Sequence, residues 1–205
     1  MNIAVLVSGG GTNLQAVIDE IETGSIPARI DMVISSRKDA YALERAKRHG
    51  IEDIYIGKNN FPDLRERNHR LLELLTERKI DLVVLAGYMS ILDGDIIRTY
   101  ENRIINIHPS LIPSFCGKGF YGEKVHRAVL EYGVKISGAT VHFVDEGTDT
   151  GPIILQEAVP VLDDDNTELL ASRVLAVEHK LLPNAIRLFV EGKLKIEGKR
   201  VKISE

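Results

Sequence analysis

The sequence predicts an α/β fold on a twisted, mostly parallel sheet, and three observations carry that reading. Short apolar runs alternate with amphipathic stretches of helical period through the first half of the chain. Those runs are apolar throughout, the pattern of strands covered by helices on both faces. The first run passes directly into a glycine-rich turn, Ser8-Gly9-Gly10-Gly11-Thr12-Asn13, and open sheets of this kind meet their ligands at such turns.

In order, Ile3 to Val7 reads as the first strand, followed by Leu14, Val17, Ile18 and Ile21 at helical spacing, with an end at Gly24. A strand from Ile30 to Ser35, a helix ending near Gly50, a strand from Ile54 to Ile56, a helix carrying Leu71, Leu72, Leu74 and Leu75, and a strand from Ile80 to Leu85 repeat the pattern. After Ile104 to Ile107, the Gly- and Pro-rich stretch from Pro109 to Gly122 reads as a loop before a helix near Val125 to Glu131. Two β-rich runs, Ala139 to Val144 and Pro152 to Val161, flank a turn from Asp145 to Gly151 and are expected to be neighbours. Asn166 or Thr167 is expected to cap a long helix with Leu170, Val174, Val177 and Leu181 on one stripe, and Pro183 to kink or interrupt it. A terminal hairpin, Leu194 to Ile196 and Val201 to Ile203, turns near Gly198. No repeat, low-complexity run or linker appears, so residues 1–205 are read as one domain: a Rossmann-like, mixed but mostly parallel sheet with helices on both faces.

Composition narrows the function. With 26 basic and 30 acidic residues the net charge is -4, which gives no broad footprint for nucleic acid or an anionic membrane. An anionic ligand must then be held locally. The N-terminus has no basic n-region, and no apolar run approaches the roughly 20 residues of a membrane span, so a cytoplasmic location is expected. The single cysteine, Cys116, allows no intramolecular disulfide and no multi-Cys zinc site, and no H-E-x-x-H string occurs; no metal is expected.

Three constellations carry chemistry. In the first turn, backbone N–H groups and the positive helix end favour an anion, and the ordinary alternative is a tight turn with a helix cap. A dinucleotide is disfavoured, because Leu14 holds the place of the third glycine and the second strand does not end in an acid, although Arg37 leaves a 2′-phosphate version open. A phosphate monoester fits better. In Asn106-Ile107-His108, strand alternation puts Asn106 and His108 on one face, at a strand end before a loop. A lone Asn or His is more often structural; this pair offers an amide donor beside an imidazole. The Gly138 to Gly151 segment adds Asp145, Glu146 and Asp149, by themselves ordinary loop acids. Together the groups suit acyl transfer to an amine with no covalent nucleophile: an oxyanion donor, a proton shuttle and a carboxylate. Cys116 has no second activator and is read as incidental, His142 as a packed strand residue, and Glu178 as ambiguous.

The strings SGGGTNLQA (8–16), LAGYMSIL (85–92), INIHPSLIPSF (105–115) and GATVHFVDEGTDTGPIILQ (138–156) resemble those of the glycinamide ribonucleotide transformylases within the folate-dependent formyltransferase family. The resemblance spans nearly the whole chain, and the last string is its most specific part. It implies formyl transfer from N10-formyltetrahydrofolate, as co-substrate, to the amine of 5′-phosphoribosylglycinamide in purine biosynthesis. It implies further that Asn106, His108 and Asp149 are the catalytic trio, with Asp149 orienting His108 and raising its pKa. Gly11, Thr12 and Asn13 would hold the substrate phosphate and Glu178 the glycinamide end. Arg65, Met89, Ser90, Ile91 and Leu92, with Asn106 and the loop Asp145, Glu146, Gly147, Thr148 and Asp149, would embrace the folate, largely through backbone groups. On this reading residues 1–100 are the ribonucleotide-binding half and 101–205 the catalytic and folate-binding half.

Ser90 stands where the family often has Arg, Leu64 where it has a basic residue, and Leu175 where it has a polar one, so Arg65 and Lys118 become the candidate cations for phosphate or folate tail. The related deformylases, with a further N-terminal domain, and methionyl-tRNA formyltransferases, with a basic C-terminal domain, fit less well, as does a non-catalytic sensor on the same fold.

Overall fold

The computed structural model describes residues 1–204. The chain divides into two compact units, Met1–Ile105 and the residues from Asn106 on. In the first, β1 (Asn2–Val7), β2 (Arg29–Ser35), β3 (Glu52–Tyr55) and β4 (Leu82–Leu85) pair in parallel in the order β3-β2-β1-β4. Val5 of β1 lies opposite Val33 on one side and Val84 on the other. Every residue from Ile3 to Val7 is fully buried, which is why this strand reads as an unbroken apolar run and not as an alternation.

Helices α1 (Thr12–Glu22) and α2 (Tyr41–Arg48) join β1 to β2 and β2 to β3, stepping outward, and α3 (Leu64–Glu77) carries the chain back past β1 to β4. Such crossovers are right-handed, so the outward and return steps put α1 and α2 on one face of these strands and α3 on the other. Packing agrees: α1 meets α2, and α3 meets α4 (Gly94–Thr99). The six-residue α4 escapes sequence reading, since Ile96 is its only buried residue and one position makes no period.

β5 (Ile104–His108) straddles the boundary between the units. Beyond it come α5 (Glu123–Tyr132), β6 (Ile136–Phe143), β7 (Ile153–Pro160), α6 (Thr167–Val190), β8 (Leu194–Glu197) and β9 (Arg200–Ile203). The full strand order is β3-β2-β1-β4-β5-β6-β7-β9-β8, a mixed and mostly parallel sheet of nine strands. β6 and β7 are antiparallel neighbours, as their flanking turn implies, and α6 packs across both. β9 runs parallel to β7 at Ile153 and Arg200, and closes the terminal hairpin with β8.

Asn166 caps α6, its side chain accepting the Leu169 N–H at 2.8 Å. Contrary to the interruption expected at Pro183, α6 runs on for 24 residues to Val190. An interior proline costs roughly 3 kcal/mol. Leu181, Leu182, Ile186 and Leu188 around it are all buried, and each contributes about 1.5–3 kcal/mol, so packing outweighs the lost hydrogen bond. Among the described residues no helix is long and apolar enough to cross a membrane.

Candidate active site

β5 delivers two side chains to its carboxyl end, with Ile104, Ile105 and Ile107 anchoring the strand in the core. Asn106 Nδ2 lies 3.1 Å from His142 Nε2 on β6, and His142 Nδ1 lies 2.8 Å from the Phe143 carbonyl. A carbonyl only accepts, so Nδ1 of His142 carries the proton and Nε2 is left to accept from Asn106. That chain fixes the carboxamide's orientation and leaves its second N–H hydrogen for another acceptor. The sequence marked His142 as a packed strand residue. It is 2 % exposed, and its packing is what aims Asn106.

His108 is 4 % exposed, and its Nε2 lies 3.0 Å from the Phe115 carbonyl, so Nε2 is a donor and Nδ1 faces elsewhere. Nδ1 looks to Asp149 Oδ2 at 3.6 Å, too long for a hydrogen bond but close for a charge pair. Asp149 Oδ2 accepts instead from the Gly117 N–H at 2.8 Å, and its Oδ1 stands 3.7 Å from His142 Nε2. The Asp-x-Gly turn therefore brings one carboxylate between two imidazoles and the 115–117 loop. Asp149 takes a left-handed backbone, φ 57, to do so. Sequence reading joined Asp149 to His108 but missed the Phe115 carbonyl, because backbone partners leave no residue-type signal.

Burial sets the electrostatics. It lowers the His108 pKa, against the opposing pull of the Phe115 hydrogen bond and the Asp149 charge. Asp149 thus pulls the His108 pKa up, as expected, while burial sets the net direction. Asp149 does favour the imidazolium, but the cost of burying a charged ring exceeds that favour. Asp149 itself is held below the usual carboxylate range: burial pushes it up, and the nearby His142 and His108 rings with the Gly117 N–H together outweigh burial. Burial raises the Cys116 thiol, and Asp149 raises it further, so a thiolate nucleophile is disfavoured there.

The loop after β5 is pinned. Thr140 Oγ1 donates to the Ser110 carbonyl at 2.6 Å and accepts from the Ile112 N–H, while Gln156 Nε2 donates to both the Ile112 carbonyl and Thr140. In the 145–150 turn, Asp145 accepts from Thr150 Oγ1, the Gly147 N–H and Lys199 Nζ, which together hold its pKa down against burial. Its side chain is spent on ordering the turn, leaving Glu146, Gly147 and Thr148 exposed. Glu178, ambiguous by sequence, is 8 % exposed on α6.

In the first unit the glycine-rich turn has the shape its sequence suggests. Gly11 is the N-cap of α1 at φ 71, and a Cβ there would stand 2.6 Å from the Ala42 Cβ, so only glycine fits. The Gly9 carbonyl accepts from the Ala42 N–H and the Gly10 carbonyl from Arg45 Nε. In a trans peptide the N–H points opposite to the C=O, so the Gly10 and Gly11 N–H groups point away from α2. Thr12 is partly exposed and Asn13 buried behind it.

A second loop, carrying Met89, Ser90, Ile91 and Leu92, is tied to that turn. Ser8 Oγ accepts the Met89 N–H at 2.7 Å and shares a 2.6 Å hydrogen bond with Ser36 Oγ. Asn68 on α3, 3 % exposed, donates to the Leu64 and Ile91 carbonyls and accepts from the Asp93 N–H. Met89 and Ile91 are exposed, 54 % and 72 %, large apolar side chains held out by a fixed backbone. Arg65 is exposed in the first turn of α3. Among the described residues no cluster of three His, Cys, Asp or Glu could hold a metal.

The chain is similar in sequence and fold to known proteins. The family described as formyl transferase matches residues 1–186. A phosphoribosylglycinamide formyltransferase of Haemophilus influenzae is 40 % identical over 195 residues, covering 95 % of this chain and 90 % of its own. The chloroplastic phosphoribosylglycinamide formyltransferase of Vigna unguiculata is 38 % identical over 192 residues, 94 % of this chain; the chain spans 62 % of that relative's length. Among solved structures, glycinamide ribonucleotide transformylase 1 of Symbiobacterium toebii superimposes with a TM-score of 0.94 at 50 % identity, covering 100 % of this chain and 94 % of that one.

Proposed function

The chain belongs to the formyl transferase family, and from that membership we propose that it transfers the formyl group of N10-formyltetrahydrofolate to the amine of 5′-phosphoribosylglycinamide in purine biosynthesis. The observation that carries the proposal is the Asn106, His108, His142 and Asp149 cluster, with an oriented amide N–H and an imidazole facing a carboxylate. Such a set assists attack by an external amine and supplies no nucleophile of its own.

The amine nitrogen attacks the formyl carbon, and the carbonyl electrons move onto oxygen. The free N–H of Asn106 donates to that oxyanion. As the tetrahedral centre collapses, the carbon–N10 bond breaks. His108 takes the proton from the attacking amine and gives it to N10. Asp149 favours the transient imidazolium across the 3.6 Å gap, and catalytic contacts of this kind tighten as substrate closes around them. Gly11, Thr12 and Asn13 are assigned to the substrate phosphate at the helix end, and buried Glu178 to the glycinamide amine. The fixed backbone of Met89 to Leu92, with Arg65, Asn106 and the turn from Asp145 to Asp149, is assigned to the folate. Both substrates are small molecules, and the reading calls for no metal, nucleic acid or membrane and places the protein in the cytoplasm.

The test is whether tetrahydrofolate forms only when the ribonucleotide amine is added. Release without it would mean that water is the acceptor and the protein is a deformylase. No turnover with both substrates present would reject catalysis altogether.

A further inference from the structure

A cleft in the first unit uses none of the residues assigned to formyl transfer. Its volume is about 530 Å³, inside the range of about 300–1,000 Å³ typical of small-molecule sites. One wall is the segment leaving β2, with Ser36, Arg37, Lys38 and Asp39; the other leaves β3, with Tyr55, Lys58 and Asn59. The carboxyl ends of parallel strands are where open α/β sheets receive ligands, and the end of the second strand is where nucleotide-binding sheets contact a ribose or its phosphate.

Both walls are built in advance. Ser35 Oγ donates to the Arg37 carbonyl at 2.7 Å and accepts the Arg37 N–H at 3.0 Å, closing the first into a tight turn. In the second, Asn60 Oδ1 accepts the Gly57 N–H, Asn60 Nδ2 donates to the Tyr55 carbonyl, and the Asn59 N–H donates to the Tyr55 hydroxyl at 3.0 Å. Any side chain at Gly57 would collide with the Tyr55 ring and the Ser36 carbonyl, so glycine there lets the ring lie against the first wall. The result is a fixed aromatic platform.

The charge is one-sided. Arg37, Lys38 and Lys58 face the single carboxylate of Asp39, an excess of two positive charges in a chain of net charge -4. Asp39 binds Nε and Nη2 of Arg37, at 3.1 and 2.8 Å, which orients the guanidinium and leaves Nη1 to meet a ligand. Neither lysine ammonium has a carboxylate within salt-bridge distance among the described residues. An orthophosphate would occupy a small part of the volume and leave the Tyr55 ring unused.

We propose that this cleft binds a nucleoside monophosphate, with Arg37, Lys38 and Lys58 on the phosphate and Tyr55 stacked on the base. The site is independent of the formyl-transfer reading, and binding is measured without turnover. Adenosine monophosphate titrated into the ¹⁵N-labelled full chain should shift the amides of residues 36–39 and 57–59 saturably, with half-saturation at or below about 1 mM. Adenosine and inorganic phosphate should each bind the same amides at least about tenfold more weakly, one lacking the charge and the other the stacking surface. The double variant Lys38→Ala/Lys58→Ala, both exposed positions, should weaken the nucleotide at least about tenfold while formyl transfer stays unchanged. Absence of saturable shifts, shifts confined to residues 9–13, equal binding of phosphate and nucleotide, or full nucleotide binding by the double variant would each overturn the proposal.

Discussion

At the scale of single residues, the site turns on which hydrogen-bond partner can only accept. The Phe143 and Phe115 carbonyls force the tautomers of His142 and His108, and through them the aim of Asn106 and of the His108 Nδ1 edge. Asn106→Ala removes the carboxamide proposed to donate to the oxyanion. Turnover should fall roughly 10²- to 10³-fold with folate affinity little changed, and a steady-state comparison showing a loss under threefold would reject the role. Asp149→Asn removes the charge that opposes burial at His108, so the imidazole pKa should move further down and the acid limb of the rate profile with it. An NMR titration of His108 in both proteins reads this directly, and an unmoved pKa would leave Asp149 as a loop-ordering residue through Gly117.

At the scale of elements, two helices hold loops by opposite means. α1 begins at a glycine that no other residue can replace. Gly11→Val must leave φ 71 or displace Ala42, and should raise the Michaelis constant for the ribonucleotide while leaving that for folate unchanged; parallel loss of both would indicate misfolding. α3 instead uses one buried side chain, Asn68, to grip the 89–93 loop at two backbone atoms, the Ile91 carbonyl and the Asp93 N–H, while anchoring itself to the Leu64 carbonyl of its own helix. Asn68→Ala removes the side-chain partner of the part-buried Ile91 carbonyl and Asp93 N–H, at a cost of about 1 kcal/mol in a denaturant midpoint experiment. It should weaken folate selectively, because the loop it releases is the one assigned to folate.

At the scale of the whole molecule, buried histidines shape the response to acid. His108 is depressed chiefly by burial, and so is His126, whose Nδ1 is buried without a hydrogen-bond partner. For both, the unfolded chain binds the proton more tightly, so stability is fully present above the ordinary imidazole pKa near 6.5 and is lost as pH falls toward the depressed values. Depressed Asp149 acts in the same sense at lower pH. Urea midpoints should therefore fall between pH 7 and about pH 5, and His126→Phe should flatten part of that slope. A slope unchanged by the substitution would remove His126 from the account.

What the sequence determined by itself was whatever is written in local pattern. Unbroken apolar runs named the buried strands, Gly11 named the turn, and strand alternation put Asn106 and His108 side by side, because backbone geometry ties neighbours in sequence to fixed directions in space. The resemblance over 138–156 adds the formyl-transfer reading from sequence alone. Tertiary structure alone decided what depends on partners distant in sequence or on the backbone. It made His142 the orienting group for Asn106, made the Phe115 carbonyl the holder of His108, and carried α6 through Pro183 on buried leucines. The sign at His108 belongs to the same class: a charge pair can be guessed from residue types, whereas the desolvation that outweighs it exists only once the chain has closed over the ring.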